Sequence, residues 1–359
     1  MDFITDAMEM VDHLPQPAFC VRAGTIVKVN PAGSARMIET GSQIQDLLNT
    51  GREEYAEFSD GCLYLTLSLN GHVQGASVTR KKDFDLFILD HNNQSSELQA
   101  MALAARELRE PLASIMITAN QLLPETDLEN PETREHAARI NRGLFQMLRV
   151  ISNMSDANRY ACDIDTPREI RDVCAIIRET VTKAGVLAEQ AGIRLEADIR
   201  PEPVYTLADA EKLERAIYNI ISNALKFTPA GGLVQVSLTR RGNKLYFSVQ
   251  DTGSGIAENL RSGIFSRYTR EPGLEDGRFG IGLGLLLIRS AAALHGGTVL
   301  VDHPQGVGTR TTMTMTIRSG DGLSLRSPRM RVDYAGEWDH SLLELSDCLP
   351  ASLFGPKKD

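Results

Sequence analysis

Two apolar series constrain this chain more than any other feature. From Gln94 onward, Leu98, Met101, Ala105, Leu108, Leu112, Ile115, Ala119 and Leu122 follow one another at alternating spacings of three and four. A break from Leu123-Pro124 to Pro131 separates them from Ala137, Ile140, Leu144, Met147, Ile151 and Met154, spaced the same way. That alternation is a heptad seam, so residues 93–160 are expected to form an antiparallel helical hairpin. One apolar stripe on each arm is poorly covered by a lone hairpin, whereas two hairpins close a four-helix core. A homodimer is the expected solution; packing of the hairpin on neighbouring domains of its own chain is the alternative.

The hairpin divides a chain of 359 residues, long enough for two to three domains at ~150 residues each. Before it, residues 1–92 alternate short β-rich runs with turn signals: PAFCVRAGTIVKVN, GCLYLTLSLNG, GASVTR and DFDLFILD. A small antiparallel sheet is expected there. After it, residues 161–320 alternate helix and strand: a helix over Glu169 to Gly192, strand IRLEADI, a helix over Asp209 to Phe227, strands LVQVSLTR and KLYFSVQD, a glycine-rich stretch, a helix over Leu285 to His295, and strands TVLVDH and TRTTMTMTI. This pattern fits an α/β sandwich with helices on one face of a mixed sheet, so the whole reads as a multidomain α+β protein. Residues 321–359 are a polar tail until Trp338, where Ser341-Leu-Leu-Glu344 offers a capping box for a short apolar helix.

A formal charge of -9 argues against a nucleic-acid surface. No apolar run approaches the length of a membrane span and the first residues are acidic, so the expected location is cytoplasmic. Cys20, Cys62, Cys162, Cys174 and Cys348 are scattered without a CxxC pair, which reads as reduced and structural.

Three segments carry chemistry. In ERAIYNIISNALKFTP, Asn219 and Asn223 share one helical face with Lys226 a turn beyond. An Asn carbonyl is a neutral oxygen ligand for Mg²⁺, and a lysine supplies a point charge for phosphate. In Asp251-Thr-Gly253-Ser-Gly255 a strand ends on a carboxylate able to accept a hydrogen bond from an exocyclic amine such as that of adenine, with glycines that let backbone pass close to a base. In Gly280-Ile-Gly282-Leu-Gly284-Leu285 flexible backbone opens a helix and presents N–H groups to an anion. A Rossmann fingerprint is excluded because EPGLEDGRF, which precedes the last segment, reads as loop and not strand.

In this order and at compatible spacing, the three segments resemble the N, G1 and G2 boxes of sensor histidine kinases. The resemblance implies an ATP-binding domain with ATP and Mg²⁺ as cofactors. By it Asn223 ligates the metal, Asp251 reads adenine, Lys226 meets phosphate, Gly253, Gly255, Gly280, Gly282 and Gly284 frame a mobile lid, and Asn219 and Leu285 complete the cofactor-binding set. Phe265, with Arg267 and Arg270, looks like that lid's phenylalanine box. PAFCVRAGTIVKVNPAGSARMI, two strands around Ala23-Gly24 and a helix opened by Asn30-Pro31, resembles the start of a PAS sensor domain. A response regulator or another signalling protein is the implied partner.

One position departs. The family's first bundle helix carries a His-Glu-Leu-Arg-x-Pro-Leu motif, and this chain has Arg106-Glu107-Leu108-Arg109-Glu110-Pro111-Leu112, with every specified residue but the histidine. A guanidinium has no free lone pair with which to attack a γ-phosphate. Glu107, which matches the family's general base, has no proton to take there, and Glu110 stands where many relatives carry the Thr or Asn of phosphatase action. Autophosphorylation is expected to be impaired. Alternatives are an active kinase whose acceptor is His136 or a site on a partner, and a non-catalytic dimeric scaffold. His295, in the turn after the last helix, reads as structural.

Overall fold

The computed structural model describes residues 11–81, 84–90, 94–121, 130–161, 169–200, 202–256, 264–265, 283–304, 308–318 and 339–355. Five antiparallel strands build the N-terminal unit: β1 (Ala18–Arg22), β2 (Thr25–Val29), β3 (Cys62–Leu69), β4 (His72–Arg80) and β5 (Asp85–Leu89). Both tight turns use left-handed residue pairs, Ala23-Gly24 and Asn70-Gly71, which match the twist of the strands they join. Short helices α1 (Pro31–Ser34), α2 (Ile44–Leu47) and α3 (Arg52–Glu57) connect β2 to β3. The fully buried Asn30 caps α1 by accepting from Gly33 N at 2.8 Å, and its amide donates to the carbonyls of Leu14 and Gln16.

Two long helices follow, α4 (Gln94–Gln121) and α5 (Pro131–Ala161), packed along one another. The single seam expected on each separates into two columns. Leu98, Ala105 and Leu112 are buried, as are Ala137, Leu144 and Ile151, whereas Leu108, Ile115, Ile140 and Met147 are 47–53% exposed. The first column is spent inside the chain and the middle of the second faces outward, while Met101 and Met154 of the second column pack against the chain's own core.

The α/β unit contains β6 (Glu169–Asp172), α6 (Val173–Gln190), β7 (Arg194–Ile199), β8 (Tyr205–Ala208), α7 (Ala210–Phe227), β9 (Leu233–Arg241), β10 (Lys244–Asp251), α8 (Gly284–Leu294), β11 (Val299–Asp302) and β12 (Arg310–Thr316). The helix expected from Glu169 starts later: Glu169–Asp172 pairs with the unforeseen β8, and the Asp172 carboxylate accepts from Cys174 N and Ala175 N, fixing the first turn at Val173. Along β10 the residues alternate, Leu245, Phe247, Val249 and Asp251 inward and Ser248 and Gln250 outward, as in a sheet with helices on one face. β7 and β9 are parallel and the other pairs antiparallel, so the sheet is mixed.

The sheets expected to be separate are continuous. The order is β2-β1-β5-β4-β3-β11-β12-β10-β9-β7, with β3 pairing β11 through Cys62↔Val301, Leu63↔Leu300 and Tyr64↔Val299. Each strand is the edge of its own unit, and each covers unpaired backbone of the other. Around this seam Lys244 is paired with Glu54 and Arg289 with Asp90.

The tail forms α9 (His340–Leu345) and a 3₁₀ turn (Ala351–Phe354). The capping-box expectation is corrected: Asp339 is the N-cap, accepting from Ser341 N at 2.8 Å, while Glu344 lies inside the helix and is fully buried among arginines. Leu343, Leu345, Leu349 and Phe354 join the core shared by α5 and the α/β unit. Among the described residues no helix is long and apolar enough to cross a membrane.

Candidate nucleotide-binding site

Helix α7 starts at Asp209, whose side chain accepts from Lys212 N at 3.1 Å. His295, buried at the end of α8, braces this start: the Asp209 N–H donates to its Nε2 at 3.2 Å, and its Nδ1 contacts the Ala291 carbonyl at 2.7 Å. That supports the structural reading of this histidine.

Along α7, Arg215, Asn219, Ser222, Asn223 and Lys226 form one polar stripe. Asn219 is 1% exposed; its amide donates to the Arg215 carbonyl at 2.8 Å, and its Oδ1 lies 3.4 Å from an Arg149 nitrogen of α5. Gly284, the first residue of α8, lies over it, for a Cβ there would stand 3.1 Å from the Asn219 Oδ1. The stripe therefore meets the glycine-opened helix. Asn223 is half-buried. The Lys226 ammonium, nearly enclosed, sits 3.1 Å from the Asp347 carboxylate of the tail. Burial pushes this lysine below its usual range, opposed by Asp347. A desolvated ammonium of this kind favours an oxyanion neighbour.

Asp251 ends β10 facing the helices. Its Oδ1 accepts from Gly253 N at 2.8 Å and Thr309 N at 3.1 Å. The described bonds fall on Oδ1, so Oδ2 is the oxygen disposed to accept from an exocyclic amine. Backbone packs very closely around this carboxylate. A Cβ on Gly253 would stand 2.3 Å from the Phe227 carbonyl, and one on Gly308, a left-handed residue, 1.9 Å from the Asp251 carbonyl. Glycine is required at both positions. Desolvation raises the Asp251 carboxyl above its ordinary range, with the Gly253 and Thr309 N–H groups and His303 opposing.

Phe265 is buried with its ring 5.7 Å from that of Tyr64 on β3, and its carbonyl accepts from Arg289, which also pairs with Asp90 at 2.8 Å. The ring of Phe265 thus packs against the N-terminal unit. Leu285 is half-buried, and its neighbours Leu283 and Leu286 pack on Leu98 and Ala157 of the helical pair. Arg267, Arg270, Gly280 and Gly282 lie outside the described residues.

Arg106, Glu107 and Glu110 are exposed on α4, and His136 is exposed on α5. Sequence reasoning missed Arg149, the Gly308-Thr309 turn behind Asp251, and the docking of the tail on Lys226. Only the turn had a local signal, the glycines of Gly306-Val307-Gly308-Thr309 following a strand. The donor set fits a magnesium nucleotide: a cradled carboxylate for a base edge, a half-buried amide oxygen and an enclosed ammonium for the phosphate end. Among the described residues no cluster of three or more His, Cys, Asp or Glu forms an all-protein metal site, and Mg²⁺ usually needs few protein ligands beside phosphate and water.

Comparison with known proteins matches residues 208–319 to the family described as histidine kinase-, DNA gyrase B-, and HSP90-like ATPase. The hybrid signal transduction histidine kinase D of Dictyostelium discoideum is 31% identical over 265 residues, covering 68% of this chain and 17% of that protein. The sensor-like histidine kinase SenX3 of Mycobacterium tuberculosis is 28% identical over 260 residues, covering 69% of this chain and 62% of that protein. The chain thus spans less than two thirds of either relative. A solved structure of full-length ShkA in complex with AMPPNP superposes with a TM-score of 0.50 at 23% identity, over 62% of this chain and 47% of that one, a likeness of fold. Residues 208–319 are thus an ATPase domain of the kind shared by histidine kinases, DNA gyrase B and HSP90, and the relatives named are histidine kinases.

Proposed function

We propose that this chain is a histidine-kinase-like signalling protein that binds Mg·ATP between α7, the end of β10 and the start of α8, and whose own autophosphorylation is blocked at Arg106. The observation that carries the nucleotide reading is Asp251: a buried carboxylate held on one oxygen by two backbone N–H groups, inside a turn closed by glycines that tolerate no side chain. A fold gains nothing from desolvating a carboxylate in this way unless the other oxygen has work to do. In this reading Asn223 holds the metal ion, Lys226 meets phosphate, and Asn219 keeps α7 in register with α8.

The outward columns Leu108/Ile115 and Ile140/Met147 support a homodimer, because one apolar column on each helix is left for a second copy after the chain has packed its own. The N-terminal unit serves as a PAS-like sensor, and the partner is a response regulator or another signalling protein. The exposed Arg106, standing where the family places its acceptor, makes conformation or partner binding the output.

Melting with and without Mg·ATP tests the site. At ~100 times Kd the ligand should stabilise the wild type by ~2.7 kcal/mol. Asp251→Asn keeps the shape but presents an amide donor to the base, and should abolish the shift. An unchanged wild-type melting temperature, or an equal shift in the variant, refutes the assignment.

A further inference from the structure

The tail buries more than apolar anchors. Two of its carboxylates, Glu344 and Asp347, enter a cluster of cations between α5 and α7. Glu344 pairs with Arg215 at 2.9 Å and Arg149 at 3.4 Å, and Asp347 pairs with Arg149 at 2.7 Å and Lys226 at 3.1 Å. Asp156 of α5 is the third carboxylate, paired with Arg215. Three cations therefore meet three carboxylates, two of them supplied by the tail. Charges this deep are tolerated only while paired, since removing one partner strands the other away from water.

The cations the tail engages belong to the site. Arg215, Asn219, Ser222 and Lys226 recur at four, three and four residues along α7, the stripe on which the phosphate end was placed. Arg149 reaches the Asn219 Oδ1, the same atom that Gly284 covers. The carboxylate between Arg149 and Lys226 is thus an oxyanion, donated by the chain itself, at the ammonium expected to meet phosphate. The tail is also bound to α5 through its backbone: Arg142 donates to the Ser346 and Asp347 carbonyls, Gln146 to the Ser346 carbonyl and Asn141 to the Phe354 carbonyl. The tail and the ATPase unit belong to one chain, so the tail competes at the high effective concentration of an intramolecular ligand.

We propose that Arg149 and Lys226 form one oxyanion site with two occupants, the Asp347 carboxylate of the tail and a phosphate of the bound nucleotide, so that tail docking and Mg·ATP binding exclude one another. This rests on the nucleotide reading given above. It assigns a phosphate contact to Arg149, a residue of the helical pair, and gives residues 339–355 the role of a built-in competitor. By linkage the exclusion is reciprocal: whatever detaches the tail tightens nucleotide, and nucleotide loosens the tail.

Mg·ATP affinity of the full chain tests it. Asp347→Asn preserves the shape of a half-buried side chain and removes its charge, so Kd should fall about tenfold or more relative to wild type. Hydrogen exchange of wild-type residues 343–354 should quicken when saturating Mg·ATP is added, a readout that stands whether or not the variant folds. Equal affinities with unchanged exchange overturn the role of the tail and leave the nucleotide site standing. Weaker binding by Asp347→Asn also overturns it, because the carboxylate would then assist the nucleotide. Failure of both chains to bind Mg·ATP removes the tail proposal together with the reading beneath it.

Discussion

Ile115 and Leu112 are one helical turn apart on α4, were expected in a single seam, and differ tenfold in exposure, 53% against 5%. If the outward column is the contact with a second copy, the two positions answer to different measurements. Full burial of an isoleucine is worth ~2 kcal/mol, so about half of that, ~1 kcal/mol, is left for Ile115 to gain on association. A two-fold dimer counts each substitution twice, so Ile115→Ala should weaken dimerisation by ~2 kcal/mol, about 30-fold in Kd. Adding Ile140→Ala, also 53% exposed, should bring the loss to ~4 kcal/mol, nearly a thousandfold. Leu112→Ala instead empties a site already filled within the chain and should lower folding stability by ~2–5 kcal/mol. Sedimentation equilibrium over a concentration series measures the first effect and thermal melting of the dissociated chain the second. The reasoning is refuted if the wild type sediments as a monomer at micromolar concentration, or if the Ile115 and Ile140 variants associate as tightly as the wild type.

Removing the Asp251 charge should also reshape the pH dependence of stability without ligand. Its carboxyl is raised in the folded state, so its contribution is present below the unfolded value and is lost as pH rises through the folded one. Asp251→Asn should therefore gain stability relative to wild type as pH climbs out of the acid range and hold that gain at neutrality, and parallel stability curves for the two chains would contradict the buried-carboxylate account. Cys20 is fully buried with its thiol pushed up to about 11, so iodoacetamide at pH 8 should leave it untouched in the native protein and label it only after unfolding. Prompt native labelling at Cys20 would contradict the packing around β1.

The legible parts of this fold were those governed by local rules. Strand β10 was read at its true bounds because its alternation is complete from Lys244 to Asp251, and α7 was read to its cap because Asp209 is a strong N-cap ahead of an amphipathic run. The Asp251 turn was legible because glycine is the only residue that fits where backbone meets backbone. What escaped depends on partners distant in sequence. Nothing local in GCLYLTLSLNG marks β3 as the strand that pairs β11. The heptads showed that both helices carry a seam but not that its two columns face different neighbours, since that depends on which surfaces the rest of the chain covers. Glu344 fits a capping-box pattern so well that its actual place, between Arg149 and Arg215, could not be anticipated without the fold. The residue type of Lys226 suggests a phosphate ligand, while the oxyanion beside it in the fold comes from residue 347.

The central claim, a histidine-kinase-like protein with a nucleotide site and no acceptor, is tested most directly by incubating the full chain and its Arg106→His variant with Mg²⁺ and γ-labelled ATP and counting acid-labile phosphate. Arg106 is exposed on α4 beside the buried Ala105, so an imidazole there disturbs no packing and stands next to Glu107. The account predicts no acid-labile label on the wild type and its appearance on Arg106→His. Label on the wild type would contradict the account and make His136 the first acceptor to examine; label on neither, although both bind Mg·ATP, would show that the block does not lie at Arg106.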